Sequence, residues 1–294
     1  MKKETILLTG ATGFLGSYLL KDFLQNNYNV IILKRSTSNT NRIKDLSKNY
    51  KSYNIDELNS LNAVFVDNKI DIIVHTACSY GRNNQSIVDI VKTNLIFGLN
   101  LMELGIDYNV KTFINTGSLL PRDVNNYSLS KSQLSDWLKL YSDKIQFINL
   151  KVEHMYGPKD DKKKFLPWLI NEMINNREKI KLTTGLQKRD FIYIDDVVAA
   201  FDVVLEKRKQ LSNYSEFDVG TNKFTQVKDF VIQISKALEK QTKRQILPKL
   251  KFGAIDYRKG DIMIPDLNNS SLLKLGWRPK VEIEEGIKKI LKKY

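Results

Sequence analysis

The chain has 294 residues, 42% hydrophobic and 10% aromatic, enough to bury a sizeable core in one large domain or two joined ones. Its single cysteine, Cys78, excludes an intrachain disulfide and a cysteine metal cluster, and its two histidines, His75 and His154, do not make a histidine-rich metal site, so no metal is expected. The net charge of +14 raises nucleic-acid binding, but Lys162-Lys163-Lys164, Lys288-Lys289 and Lys292-Lys293 are scattered and no nucleic-acid module surrounds them. A basic field that steers small anions toward a cleft accounts for the same charge.

Met1-Lys2-Lys3-Glu4 runs straight into a short apolar segment, with no signal-peptide core, and no apolar stretch reaches the roughly 18 residues of a membrane span. A soluble cytoplasmic protein without membrane or nucleic-acid partners is expected. The apolar runs Ile6–Thr9, Val30–Leu33, Ala63–Val66, Ile72–Thr76, Lys111–Thr116 and Ile145–Leu150 read as strands, and amphipathic helices are predicted at Ser17–Gln25, Ile87–Leu104 and Tyr127–Tyr141. This alternation predicts an α/β fold, a Rossmann-type doubly wound parallel sheet with helices on both faces. In the last helix Leu134, Trp137, Leu138 and Tyr141 recur at the spacing of a half-buried face.

After Leu150 the rhythm changes. Gly157-Pro158, the charged stretch Lys159–Lys164, Pro248, Gly253, Gly260 and Pro265 suggest loops joining short elements, a smaller mixed α/β substrate lobe over the carboxyl edge of the sheet. Asp195–Lys207 and Glu216–Val219 read as a helix and strand that return to the first lobe. The expected division is 1–150 plus about 196–220 for a dinucleotide-binding domain, and about 151–195 plus 221–294 for a nucleotide-sugar-binding domain.

Three sets of residues carry chemistry. Gly10, Gly13 and Gly16 stand between the first strand and the first helix, where glycine lets backbone amides approach a pyrophosphate and the helix presents its positive dipole end. A tight turn with close helix packing is the plainer reading, and the spacing GxxGxxG differs from the common GxGxxG. Second, the end of the second strand carries Lys34-Arg35-Ser36 where an NAD-binding fold usually has an acid for the ribose 2′-hydroxyl. Two cations and a hydroxyl there suit the 2′-phosphate of NADP(H); two solvated basic residues are the alternative. Third, Tyr127 and Lys131 lie four apart on a predicted helix, and Ser118 lies just past a strand. A neighbouring ammonium would lower the phenol pKa, and the trio would polarise a carbonyl while Tyr127 delivers a proton.

Thr9–Gly16, Asp71–Ala77, Thr116-Gly117-Ser118, Tyr127–Lys131, Tyr156-Gly157-Pro158 and Arg189–Asp196 fall in an order that resembles the extended short-chain dehydrogenase/reductases, the NAD-dependent epimerase/dehydratase group acting on nucleotide sugars. The resemblance spans essentially the whole chain. It implies Tyr127, Lys131 and Ser118 as catalytic residues. It implies a cofactor site of Gly10, Thr12, Gly13, Phe14, Leu15, Gly16, Lys34, Arg35, Ser36, Asn54, Ile55, Thr76, Ala77, Asn94, Thr116, Tyr127, Lys131, Val152 and His154. A nucleotide sugar would be held by Ser118, Tyr127, Arg189, Arg258, Asp261 and Phe165. A homodimer is implied through the helices at Ile87–Leu104 and Tyr127–Tyr141.

Two departures narrow the implied reaction. Epimerases of the group usually carry aspartate where Lys34 stands, and 4,6-dehydratases carry an Asp-Glu pair where Leu119 and Leu120 follow Ser118. What remains is reduction of a ketone by NADPH, and the short interval from Ser118 to Tyr127, with Lys151–Asp161, looks most like the branch of CDP-abequose and CDP-paratose synthases. The alternatives are a 4-epimerase with bound NAD and a catalytically silent NADP-sensing binding protein. Cys78 and the tryptophans are expected to serve packing, and His154 and His75 to be structural or, for His154, to touch the ligand.

Overall fold

The computed structural model describes residues 3–46, 49–81, 84–258 and 260–294. Twelve strands are β1 (Thr5–Thr9), β2 (Asn29–Lys34), β3 (Lys51–Asn54), β4 (Ile72–His75), β5 (Thr112–Ser118), β6 (Gln146–Val152), β7 (His154–Tyr156), β8 (Ile180–Leu182), β9 (Lys188–Tyr193), β10 (Tyr214–Val219), β11 (Phe224–Gln226) and β12 (Leu250–Phe252) among the described residues. The helices are α1 (Phe14–Gln25), α2 (Leu61–Asp67), α3 (Ile87–Val91), α4 (Phe97–Asp107), α5 (Asn126–Leu140), α6 (Phe165–Ile174), α7 (Ile194–Lys207), α8 (Val227–Thr242), α9 (Ser270–Lys274) and α10 (Ile283–Leu291); a π-helical turn, Lys92–Ile96, joins α3 to α4.

The main sheet has seven strands in the order β10-β6-β5-β4-β1-β2-β3, every pair parallel. That is the dinucleotide-binding order with one strand added, and its topological switch lies between β1 and β4. Both faces are covered, as period-two side-chain alternation in a parallel sheet requires. Ile6 and Leu8 of β1 join a core with Leu19 and Phe23 of α1 and Val197 and Phe201 of α7, whereas Leu7 joins the opposite core with Leu134 and Leu138 of α5. Each such buried leucine contributes about 1.5–3 kcal/mol.

Two sequence expectations fail. Ala63–Val66 is not a strand but part of α2, because Leu61, Val64 and Phe65 repeat at helical spacing and are buried while Val66 is 64% exposed. The third strand is instead β3, an edge strand whose mostly exposed residues gave no apolar run. In α5, Trp137 and Tyr141 lie outside the core, stacked on each other at 6.3 Å. Of the tryptophans only Trp277 is core, donating its indole N–H to Asp196 O at 2.9 Å; Trp137 and Trp168 are exposed.

α7 and β10 do return to the main sheet, β10 pairing with β6. Asp196 anchors the following chain there, its two carboxylate oxygens accepting the amides of Lys280 and Val281. Beyond the carboxyl edge, β7, β9 and β11 form a small mixed sheet and β8 pairs with β12. Among the described residues no helix is long and apolar enough to cross a membrane, and no group of three or more metal-ligating side chains occurs.

Candidate active site

The glycine turn sits where β1 passes into α1. Gly10 has φ +70°, and a Cβ on it would lie 2.5 Å from Thr76 Oγ1; one on Gly16 would lie 2.2 Å from Gly10 O. Gly13 N donates to Gly10 O at 2.8 Å. The glycines are therefore required by close packing, as the plainer reading held. The same turn leaves the start of α1 without a side-chain cap and without an acidic residue in its first turn, a donor set that fits a pyrophosphate at Phe14, Leu15 and Gly16, while the Gly13 amide closes the turn on Gly10 O. Thr76 and Ala77 are fixed beside it, their amides both 3.2 Å from Thr9 Oγ1.

At the ends of β2 and β3, Lys34 Nζ donates to Asn54 Oδ1, and Ile55 N donates to Lys34 O at 2.7 Å. Ser36 does not offer a spare hydroxyl. Its N–H and its Oγ–H both go to Asp56 Oδ1 at 3.0 Å, so a carboxylate shares the corner that the sequence reading filled with cations. Arg35 is exposed. Arg42, which no motif singles out, reaches across, donating from Nη1 to Thr12 O at 3.2 Å and from Nε to Lys159 O at 2.9 Å.

Ser118 ends β5 opposite Val152 of β6, and Tyr127 opens α5, one turn before Lys131. Asn125 caps that helix, accepting from Ser128 N at 2.9 Å, so the tyrosine is held in the first turn. Burial, and then Cys78, push the Tyr127 phenol well above its usual value, and the neighbouring Ser118 hydroxyl offsets this only in part. The expected lowering by Lys131 is therefore not found. The cost of burying a phenolate dominates, and Lys131, only 3% exposed, is itself lowered by burial.

Tyr80 stacks on Tyr127 with centroids 4.9 Å apart. The ammonium of Lys164 lies 5.7 Å from the Tyr80 ring and 5.2 Å from the Phe14 ring, paired with Asp160 Oδ1 at 2.9 Å. The segment before α6 thus spans from the glycine turn to the catalytic candidates. Phe165, first in α6, is 41% exposed against Trp168.

Other expected ligand groups are already engaged. Asn94 is fully buried, its amide bonded to Ser79 N, Ser79 O and Ser130 Oγ, so it shapes the wall and offers no side-chain group to a cofactor. Thr116 Oγ1 is buried without a partner. His154 is exposed and sits 2.6 Å from Glu153 Oε2. Arg189 and Asp261 are paired at 2.5 Å, and Arg189 Nη1 also donates to Lys188 O at 2.6 Å. Arg258 is exposed in the turn that ends at Asp261; Lys259 lies outside the described residues.

Residues 6–220 match the NAD dependent epimerase/dehydratase family. The chain belongs to that family. CDP-abequose synthase of Salmonella muenchen is 35% identical over 299 residues, covering 98% of this chain and 97% of that protein. The CDP-abequose synthase of Salmonella typhimurium strain LT2 is 31% identical, covering 99% and 98%. Among solved structures, UDP-glucose 4-epimerase of Thermotoga maritima matches with a TM-score of 0.85 at 24% identity, covering 98% of this chain and 97% of that one, a likeness of fold. Against this family frame, sequence reasoning missed Arg42, Asp56, Tyr80 and the Asp160–Lys164 pair. Tyr80, three residues past Ala77, and the i, i+4 pair Asp160–Lys164 were within reach; Arg42 and Asp56 meet their partners only through the fold.

Proposed function

We propose that this chain is a cytoplasmic NADPH-dependent reductase of the C4 ketone of a nucleotide-activated 4-keto-6-deoxy or 4-keto-3,6-dideoxy sugar, in the synthesis of surface-polysaccharide sugars. The observation that carries the reading is Tyr127 beside Ser118 with Lys131 one turn on, in a chain where Leu119 and Leu120 supply no acid or base for eliminating water. The likeness to two CDP-abequose synthases over nearly the whole length supports it.

A bound nicotinamide would supply the hydride. Ser118 hydrogen-bonds the ketone oxygen and Tyr127 passes it a proton, with Lys131 one turn along the same helix; burial holds the phenol in its protonated form. The amides of Phe14, Leu15 and Gly16 hold the pyrophosphate, with Lys34 and Arg35 toward the 2′-phosphate. Residues 1–150 with about 196–220 bind the cofactor, and about 151–195 with 221–294, carrying Arg189, Arg258 and Asp261, bind the nucleotide sugar. Purified protein is expected to oxidise NADPH only with a 4-keto sugar nucleotide, and Tyr127→Phe to lose at least about a hundredfold in kcat. Full turnover by that variant refutes the mechanism.

One observation favours the epimerase reading with bound NAD: Asp56 takes both donors of Ser36 at 3.0 Å. The absorbance and mass of cofactor extracted from the purified protein separate the two. We also infer a homodimer through α3 and α5, which leave Ile87, Val88, Leu140, Trp137 and Tyr141 exposed. Light scattering showing a monomer at micromolar concentration rules it out.

A further inference from the structure

A polar row crosses the main sheet just beneath its carboxyl edge. Thr9, His75, Asn115, Asn149 and Glu216 stand in register on β1, β4, β5, β6 and β10. Register partners on parallel strands share a face. Thr9 Oγ1 lies 2.9 Å from His75 Nδ1; Asn115 Nδ2 donates to Asn149 Oδ1 at 2.9 Å, and Asn149 Nδ2 to Glu216 Oε2 at 2.9 Å. The row has one gap, between His75 and Asn115. His75 Nε2 and Asn115 Oδ1 are both buried with no hydrogen-bond partner.

The proton positions follow from counting. Thr9 Oγ1 accepts the amides of Thr76 and Ala77, each at 3.2 Å, which uses both lone pairs of a hydroxyl. Its one hydrogen is therefore donated to His75 Nδ1, and a neutral imidazole that accepts at Nδ1 carries its proton on Nε2. Asn115 has its NH2 turned to Asn149, so the oxygen is the free end of its amide. A leftover donor and a leftover acceptor thus occupy paired positions on adjacent strands.

We propose that His75 is a positioning residue, held neutral with its proton on Nε2, that accepts from Thr9 and donates, directly or through one internal water, to Asn115 Oδ1, tying the cofactor turn to the catalytic strand. Thr9 precedes Gly10, His75 precedes Thr76-Ala77, and Asn115 lies three residues before Ser118. The tie therefore sets the distance between the cofactor cradle and the group that meets the substrate oxygen. The neighbours of the ring agree with a neutral state: Phe97 and Phe113 flank it at 5.6 and 6.0 Å, and Lys131 on α5 is the charged group that bears on it. Burial and that ammonium hold His75 well below the usual imidazole range.

The consequence for cofactor binding rests on the nicotinamide reading above, whereas the tautomer does not. With histidine labelled at both ring nitrogens, long-range 1H–15N correlations of the full chain are expected to show one histidine with the neutral Nε2–H pattern from pH 5.5 to 8, absent in His75→Asn. An Nδ1–H pattern or a cation at pH 7 overturns the proposal. His75→Phe is expected to weaken NADPH binding about tenfold, the loss of roughly one hydrogen bond, with a smaller change in kcat at saturating cofactor. His75→Asn, which keeps an acceptor for Thr9, is expected to recover most of that affinity. Equal affinity in all three proteins also overturns it. Wild-type protein that binds no nicotinamide nucleotide refutes the cofactor reading instead, and leaves the tautomer measurement to decide the rest.

Discussion

The glycine turn and the Arg189 region of the candidate site are built on different principles. At the glycine turn the fixed elements are backbone: Gly10 and Gly16 stand so close to Thr76 and to Gly10 O that no side chain fits, and Thr9 pins the amides of Thr76 and Ala77. Around Arg189 the fixed elements are side chains from distant parts of the chain. Arg189 on β9 meets Asp261, 72 residues away, and Asp190 accepts the amides of Thr221 and Asn222. A backbone cradle suits a ligand part that never varies, such as a pyrophosphate, whereas paired side chains can be exchanged as the sugar or base changes.

That contrast can be broken by substitution. The largest effect is expected at the cofactor corner, where replacing Lys34 and Arg35 by alanine raises the KM for NADPH by about ten- to a hundredfold, the worth of one or two charge-assisted hydrogen bonds, and leaves that for NADH nearly unchanged. Steady-state kinetics with both nucleotides check this, and an unchanged preference removes the cations from the site. A smaller effect is expected on the other side. Arg189→Gln loses the ion pair with Asp261 and is expected to raise the KM for the nucleotide sugar by about tenfold with NADPH affinity unaltered. If both affinities fall together in titration calorimetry, the two sides do not act independently.

The smallest effect lies away from the cleft, between α1 and α7. Asp202 is half-buried with the Asp22 carboxyl beside it, and partial burial and then that like charge push its carboxyl up to about 8. The folded state therefore holds a proton that the unfolded chain, with an ordinary aspartate near 3.9, has released. Stability is expected to fall as pH rises from about 4 to about 8 and to level off above, and Asp202→Asn to flatten that slope. Melting temperatures at pH 5, 6.5 and 8 for the two proteins check it; parallel slopes exclude the pair as the cause.

The glycines, Ser118, Tyr127 and Lys131 were legible because each is tied to a local element: a strand end, a helix start, a four-residue helical step. Ala63–Val66 misled because four apolar residues look alike in a strand and on a helix, and only their neighbours at helical spacing decide. Asn94 shows a different limit. Its place in the chain says nothing of the Ser79 backbone that consumes its amide.

The sequence by itself determined the doubly wound parallel sheet and the local placement of Ser118, Tyr127 and Lys131, since alternation of apolar runs and short spacings are properties of neighbouring residues. The tertiary structure alone decided which donors remain free. Asp56 claims Ser36, Asp261 claims Arg189, Tyr80 covers Tyr127, and burial raises the phenol that Lys131 was expected to lower. Hydrogen-bond capacity and desolvation depend on what the fold brings within a few ångströms, and those partners lie far apart in the chain.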